Sequence, residues 1–324
     1  MKNLYRHGMV ALLVLLAALR SEAQTSRPVP QIQRVLIVSV DGLRPDLALR
    51  AKMPHLRRLM EAGAYSFWAQ TIPAAITLPS HCSMLTGVGM EKHGVNWNKD
   101  RLAARTRYTQ VPTLFELAKK AGYTTAMVAG KSKFVALARP GTLDWSVLPD
   151  TDEFSSDEQV AQEATNLLRQ HAPQVMFVHF AGPDDSGHLH EWGSPQQVRT
   201  IEGVDEGLGQ VLAELDRQKL TESTLVVLTA DHGGAGNRHG ADDARSRHIP
   251  WIAAHPALLR NYDLTRLSKL HIKTEDTFAT ACWVLGIPLP AGTEGRPVTQ
   301  VLPSAAATTR ATTRPATSEA EAYR

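Results

Sequence analysis

Arg34-Val35-Leu36-Ile37-Val38-Ser39-Val40-Asp41-Gly42 sets the architecture of this chain. Its first seven residues form a β-branched run without polar alternation, the pattern of a strand covered on both faces. The run stops at an acid followed by glycine. Similar runs recur at Thr124–Ala129, Gln174–Phe180, Thr224–Thr229 and Ile249–Ala254. Helical patterns separate them. Pro54 suits the first residue of a helix ending near Gly63, and Pro112 opens another that stops at Gly122. Glu158–Gln170 and Gln196–Arg217 carry apolar residues at helical spacing, and Glu275–Leu285 ends before Gly286 and Pro288. This alternation predicts an α/β fold: a doubly wound, mostly parallel central sheet with helices on both faces, in three layers.

Both ends of the chain differ from this pattern. Lys2, Arg6 and His7 precede an apolar run from Met9 to Leu19, and Ser21-Glu22-Ala23 supplies a small-residue cleavage position. That is the layout of a secretory signal peptide over residues 1–23, with an apolar run too short for a membrane span. The expected product is exported, periplasmic or extracellular, rather than held by an uncleaved anchor. Residues 303–324 are nearly all Ala, Thr, Ser, Pro, Arg and Glu, so a disordered tail is expected there. One large domain over residues 24–302 remains.

The leader holds three basic and one acidic residue and the tail three and two; without them the chain's 35 and 32 fall to 29 of each. A balanced domain has no electrostatic footprint for nucleic acid or anionic lipid. Cys82 and Cys282 form no disulfide framework and read as unpaired, buried thiols.

Four segments carry metal-ligating side chains: Val40-Asp41-Gly42, Thr77-Leu78-Pro79-Ser80-His81, Asp184-Asp185-Ser186-Gly187-His188 and Asp231-His232-Gly233, with His239 shortly downstream. In a parallel sheet, ligands bind beyond the carboxyl ends of the strands. Asp41 follows its strand directly, Asp184 lies four residues past Phe180, and Asp231 two past Thr229, so three carboxylates reach one edge. Asp184 and His188 flank Gly187, where a tight turn can bring both to one ion. Zinc takes imidazole nitrogen and carboxylate oxygen, and two ions about 4 Å apart can stabilise both oxygens of an in-line phosphoryl displacement. A lone Asp after a strand is more often a cap or turn residue. It is the coincidence of all four segments at one edge that points to a two-metal hydrolase. His55, His93, His171, His248 and His255 read as surface, cap or core residues, His179 as buried strand structure, and His190 as a poorer ligand than His188.

Val40-Asp41-Gly42-Leu43-Arg44, Thr77-x-Pro79-x-His81, Thr86-Gly87 with His93-Gly94, Pro183-Asp184-x-x-Gly187-His188 and Ala230-Asp231-His232-Gly233 resemble the alkaline phosphatase superfamily. Leu285-Gly286-Ile287-Pro288 leading to Gly295-Arg296-Pro297-Val298 extends the match, which is narrowest to the nucleotide pyrophosphatase/phosphodiesterase branch. The resemblance implies an alkaline phosphatase-like fold and hydrolysis of a small phosphate ester with two divalent metal ions, most plausibly zinc. It implies Thr77 as nucleophile and metal ligand, joined by Asp41, Asp231 and His232, with Asp184, His188 and His239 at the second ion. The reaction would pass through a phospho-threonine. Asn98 stands at the offset of the family's phosphate-binding Asn and is preferred to Asn96. Pro79 suits the first turn of a helix running to Leu85, leaving Thr77 just before its N-terminus.

The chain departs from that branch where a long insertion should separate His232 from the last histidine. His239 follows only seven residues later, through Gly234-Ala235-Gly236-Asn237-Arg238, with His248 as the other candidate. Lys131-x-Lys133 resembles the Lys-x-Arg pair of threonine-using monoesterases, so a phosphomonoesterase stays open beside the phosphodiesterase; a solvated loop is the alternative for both lysines. A sulfatase is disfavoured because Thr77 cannot become formylglycine, and a phosphoglycerate mutase because the chain has no room for its inserted domain. A non-catalytic binding module of the same fold is the remaining contrast.

Overall fold

A computed structural model describes residues 27–99, 107–150, 154–240 and 242–303. The expected leader, and all but the first residue of the expected tail, lie outside the described residues. Among the described residues eight strands form one sheet: β1 (Arg34–Val40), β2 (Gly63–Gln70), β3 (Thr125–Ala129), β4 (Trp145–Val147), β5 (Val175–Phe180), β6 (Thr224–Thr229), β7 (His248–Ala254) and β8 (Tyr262–Asp263). The helices are α1 (Pro45–Arg50), α2 (Pro54–Ala62), α3 (Thr77–Thr86), α4 (Met90–His93), α5 (Leu114–Lys120), α6 (Asp157–His171), α7 (Gly182–His190), α8 (Pro195–Arg217), α9 (Ala244–Arg247) and α10 (Glu275–Leu285).

The strand order is β4-β3-β5-β1-β6-β7-β2-β8. β1 pairs in parallel with β5 and β6, β3 with β5 and β4, and β2 with β8. Only β7 is reversed, antiparallel to both β6 and β2. Every residue of β5 and β6, and all but Arg34 of β1, is buried. Successive strand side chains face opposite ways, so both faces of the sheet are covered by the helical layers. The expected three-layer, mostly parallel α/β architecture is what the chain forms.

Local chemistry sets the helix ends. Ser156 and Gln159 make a reciprocal capping box at the start of α6. Ser194 accepts from the Gln197 N–H ahead of Pro195 at the start of α8, whose Ile201, Val204, Leu208, Val211, Leu212 and Leu215 face the core. Gly286 terminates α10 in the left-handed conformation, φ +68°. Pro112 does not open α5. Thr113 does, because its hydroxyl accepts from the Glu116 N–H and makes it the cap.

Thr77 is likewise the first residue of α3 and not the residue before it; Ile76 is the cap. All ten residues of α3 are buried, and the helix ends at Gly87, φ +71°, where a Cβ would lie 2.4 Å from the Phe278 ring of α10. The run Gly63–Gln70 carries no period-two signature and begins where a helix was expected to stop, yet it forms β2 against β7 with a bulge between Ser66 and Ala69. Its pairing is a long-range contact that local sequence does not encode.

Candidate metal centre

The carboxyl ends of the central strands deliver the site. Asp41 immediately follows β1, and its N–H donates to the Phe180 carbonyl at the end of β5 (2.9 Å). Asp231 and His232 follow β6. Asp184 and His188 sit on α7 four residues apart, one helical turn and not the tight turn around Gly187 that the sequence suggested. His239 arrives on the glycine loop after β6. That loop is tied down by the Gly233 N–H to the Ser246 carbonyl (2.8 Å) and by Arg44 Nη1 to the Gly234 carbonyl (2.8 Å).

Two groups of side chains result. Asp41, Asp231 and His232 have ligand atoms within 4.8 Å of one another, and so do Asp184, His188 and His239. Thr77 Oγ1 lies 3.3 Å from His232 Nε2. Asp184 stands between the groups, its Oδ1 3.4 Å from His188 Nε2, 3.7 Å from His239 Nε2 and 4.0 Å from His232 Nε2. His248 lies elsewhere, stacked on the exposed Trp68 with ring centroids 4.4 Å apart.

Hydrogen bonds fix the imidazole tautomers. Nδ1–H donates to the Gly233 carbonyl in His232, to Asn237 in His188 and to Ala75 in His239, each at 2.9 Å. Each Nε2 is thereby left with a lone pair. Opposite these lone pairs are Asp41 Oδ1, Asp184 Oδ1 and Asp231 Oδ2, three buried oxygens with no hydrogen-bond partner. His232 Nε2 is 3.4 Å from the first and 3.2 Å from the third. Acceptor facing acceptor in a dry site is costly unless a cation lies between. The donor set therefore fits two metal ions.

Charge leads to the same conclusion. Burial and the neighbouring Asp41 and Asp184 carboxylates push Asp231 well above its ordinary value. Burial also acts against ionised Asp41, but the Lys131 ammonium, with His179 and His232, holds it well below the usual carboxylate range. Burial lowers His232 to about 4, helped by His239 alongside at 3.8 Å between ring centroids. Lys131 is buried, with Nζ 2.8 Å from Asp41 Oδ2, 2.6 Å from Asp184 Oδ2 and 3.3 Å from Asp185 Oδ1. One ammonium against the buried Asp41 and Asp184 and the exposed Asp185 leaves negative charge for cations to balance.

The solvated-loop reading fails for Lys131, which is buried two residues past the end of β3, while Lys133 is half-buried in the 3-10 turn Ser132–Leu137 that follows. Lys131 faces the carboxylates. Lys133 Nζ lies 3.3 Å from Asn98 Oδ1, which also accepts from the Leu78 N–H at 2.9 Å. Asn98 Oδ1 thus joins the Leu78 N–H, next to Thr77, to the Lys133 ammonium.

Three residues support the site in ways the sequence reading did not assign, although it had singled out His81 within its motif. His179 Nε2 contacts Asp41 Oδ2 at 3.1 Å; its β5 register opposite Ser39, one residue short of the edge, was the available signal. His81 donates from Nδ1 to the Thr77 carbonyl (2.7 Å) and accepts from the Ser39 hydroxyl at Nε2 (2.8 Å). Asp157 accepts from the Ala181 and Gly182 N–H groups at the start of α7 (2.9 and 3.1 Å), and burial pushes its carboxyl up to about 6. No local pattern marked Asp157.

The family model for type I phosphodiesterase / nucleotide pyrophosphatase matches residues 35–249. Among curated proteins, the chain is 27% identical over 297 residues to the human GPI ethanolamine phosphate transferase 2 catalytic subunit, covering 86% of this chain and 30% of that protein. It is 26% identical over 237 residues to human bis(5'-adenosyl)-triphosphatase ENPP4, covering 68% and 50%. The chain thus spans half or less of the length of these relatives. Murine ectonucleotide pyrophosphatase/phosphodiesterase 5, in an inactive form with AMP, superposes with a TM-score of 0.68 at 17% identity, over 83% of this chain and all of that one. A 2-O GAG sulfatase gives 0.67 at 16%, over 84% and 74%.

Proposed function

The chain belongs to the type I phosphodiesterase / nucleotide pyrophosphatase family, and on that premise we propose that it is an exported phosphodiesterase or nucleotide pyrophosphatase acting on a small phosphate ester through Thr77. The observation that carries this reading is the set of imidazole lone pairs facing unpartnered carboxylate oxygens beside the Thr77 hydroxyl. Asp41, Asp231, His232 and Thr77 would hold one cation and Asp184, His188 and His239 the other, and the bound pair supplies Lewis acidity that lowers the hydroxyl pKa and offsets phosphoryl charge. Three imidazoles in the donor set favour zinc over magnesium.

Thr77 Oγ forms a bond to phosphorus as the ester oxygen leaves in line, its own proton passing to solvent. Water then cleaves the phospho-threonine and restores the hydroxyl. Thr77 opens α3, where the helix dipole favours negative charge. The Leu78 N–H is committed to Asn98 and Pro79 has none, and the Asn98 amide N–H would serve as a donor to a phosphoryl oxygen. His81 does not serve as a base, because both of its ring nitrogens are engaged. The working domain spans residues 24–302, with residues 1–23 removed on export and 303–324 outside it.

One observation favours a second reading. Lys133 beside Asn98 adds a positive charge that a monoester dianion would use more than a diester. Turnover of bis-p-nitrophenyl phosphate against p-nitrophenyl phosphate, with metal content measured on the same protein, separates the possibilities. Diester preference with close to two zinc per chain supports the first reading, and monoester preference the second. No metal and no turnover of either would overturn both and leave a binding module.

A further inference from the structure

Trp192 follows the last turn of α7 and is packed into the hydrophobic core, only 7% exposed. Its indole Nε1–H donates to the Gly42 carbonyl (2.9 Å), and its backbone N–H donates to the Gly236 carbonyl (2.8 Å). One residue, through its side chain and its backbone, thus ties the residue after Asp41 to the loop that carries His239.

The ring needs room from three separate segments. A Cβ added at Gly42 would lie 3.1 Å from indole Cζ2, one at Gly187 2.7 Å from Cδ2, and one at Gly234 2.4 Å from Cε2. Gly42 follows Asp41, Gly187 precedes His188 and Gly234 lies between His232 and His239, so each glycine adjoins a candidate ligand. The ring also meets two imidazoles edge-on: His188 with centroids 5.2 Å apart at 85°, and His239 at 5.9 Å and 62°. The Nδ1 hydrogen bonds of these histidines fix which nitrogen carries the proton. They also anchor one nitrogen of each ring, and the indole packed edge-on to both restricts their orientation further.

We infer that Trp192 is the positioning residue on which the Asp184–His188–His239 half of the site is built, holding both imidazoles at the angle that lets them share one cation. The inference rests on the two-metal reading. Hydrogen bonds hold the glycine loop at its ends, and the indole adds a rigid wall against which its middle packs. The other half of the site needs no such wall, because Asp41, Asp231 and His232 follow paired strands.

The test is zinc binding by chelated, full-length protein at controlled free zinc, comparing wild type with Trp192→Leu and Trp192→Phe. Trp192→Leu should bind one ion as wild type does and the other about 10–100-fold more weakly, the range typical of losing an outer-shell support. Its turnover should recover as zinc is raised, which a general packing defect would not do. Should Trp192→Leu fail to fold, Trp192→Phe keeps an aromatic wall but loses the bond to Gly42, and should weaken the same single ion to a smaller degree. Wild-type affinity for both ions in whichever variant folds would overturn the assignment, as would equal weakening of both. A wild-type protein that binds no zinc would instead remove the two-metal reading beneath it.

Discussion

The two halves of the metal centre are made by different means. Asp41, Asp231 and His232 sit one to three residues past β1 and β6, with side chains fully buried. Asp184 and His188 ride on a nine-residue helix and His239 on a glycine loop, and the His188 side chain is 45% exposed. Strand ends locked into a ladder cannot rearrange without breaking backbone hydrogen bonds, whereas a loop and a short helix can. The first half is therefore preorganised by the fold, and the second depends on a few side-chain contacts.

That contrast gives graded expectations. Thr77→Ala should lower turnover by several orders of magnitude while leaving both ions bound, since Thr77 adds only one ligand to an otherwise complete set; near-wild-type turnover would remove it as nucleophile. Asp41→Asn should cost about 10³-fold or more in kcat and should not recover with excess zinc, because it strikes the preorganised half. His239→Gln should cost roughly 10–100-fold at limiting zinc and recover when zinc is raised. If these two variants respond alike to added metal, the halves are equivalent and the contrast fails.

The smallest effect is on stability against pH in chelated protein. His232 and His93 both have folded values lowered to about 4 from 6.5 by burial. Between those values the unfolded chain binds more protons than the native one, so their contribution is fully present above pH 6.5 and is lost on falling to about 4. Asp157, raised from 3.8 to about 6, acts in the opposite sense over part of that window. His93→Gln should flatten the decline in Tm by removing one of several histidine contributions; an unchanged slope would show that His93 does not take part.

The sheet-borne half was legible because chemistry and periodicity coincide there. An apolar β-branched run ending in Asp41 or Asp231 states both where a strand stops and which group stands at its end. The second half was legible only in composition. The sequence pointed to Asp184, His188 and His239 but misread the helical turn that joins the first two, since Gly187 reads as a turn former and is helical here because Trp192 packs against it. Lys131 was left between a site residue and a solvated loop for a related reason. A lysine after a strand is ordinarily solvated, and only the three-dimensional convergence of Asp41, Asp184 and Asp185 makes burial favourable. β2 escaped notice because its partner is more than 170 residues away in the chain.

Buried Lys131 also bears on the order of events during biogenesis. Small zinc modules whose charged pocket has no internal counter-ion stay unfolded until metal arrives. Here an ammonium carried by the polypeptide itself already bridges Asp41 and Asp184. Part of the site's negative charge is thus offset by the chain itself, which lets folding of the empty site and uptake of ions be separate steps.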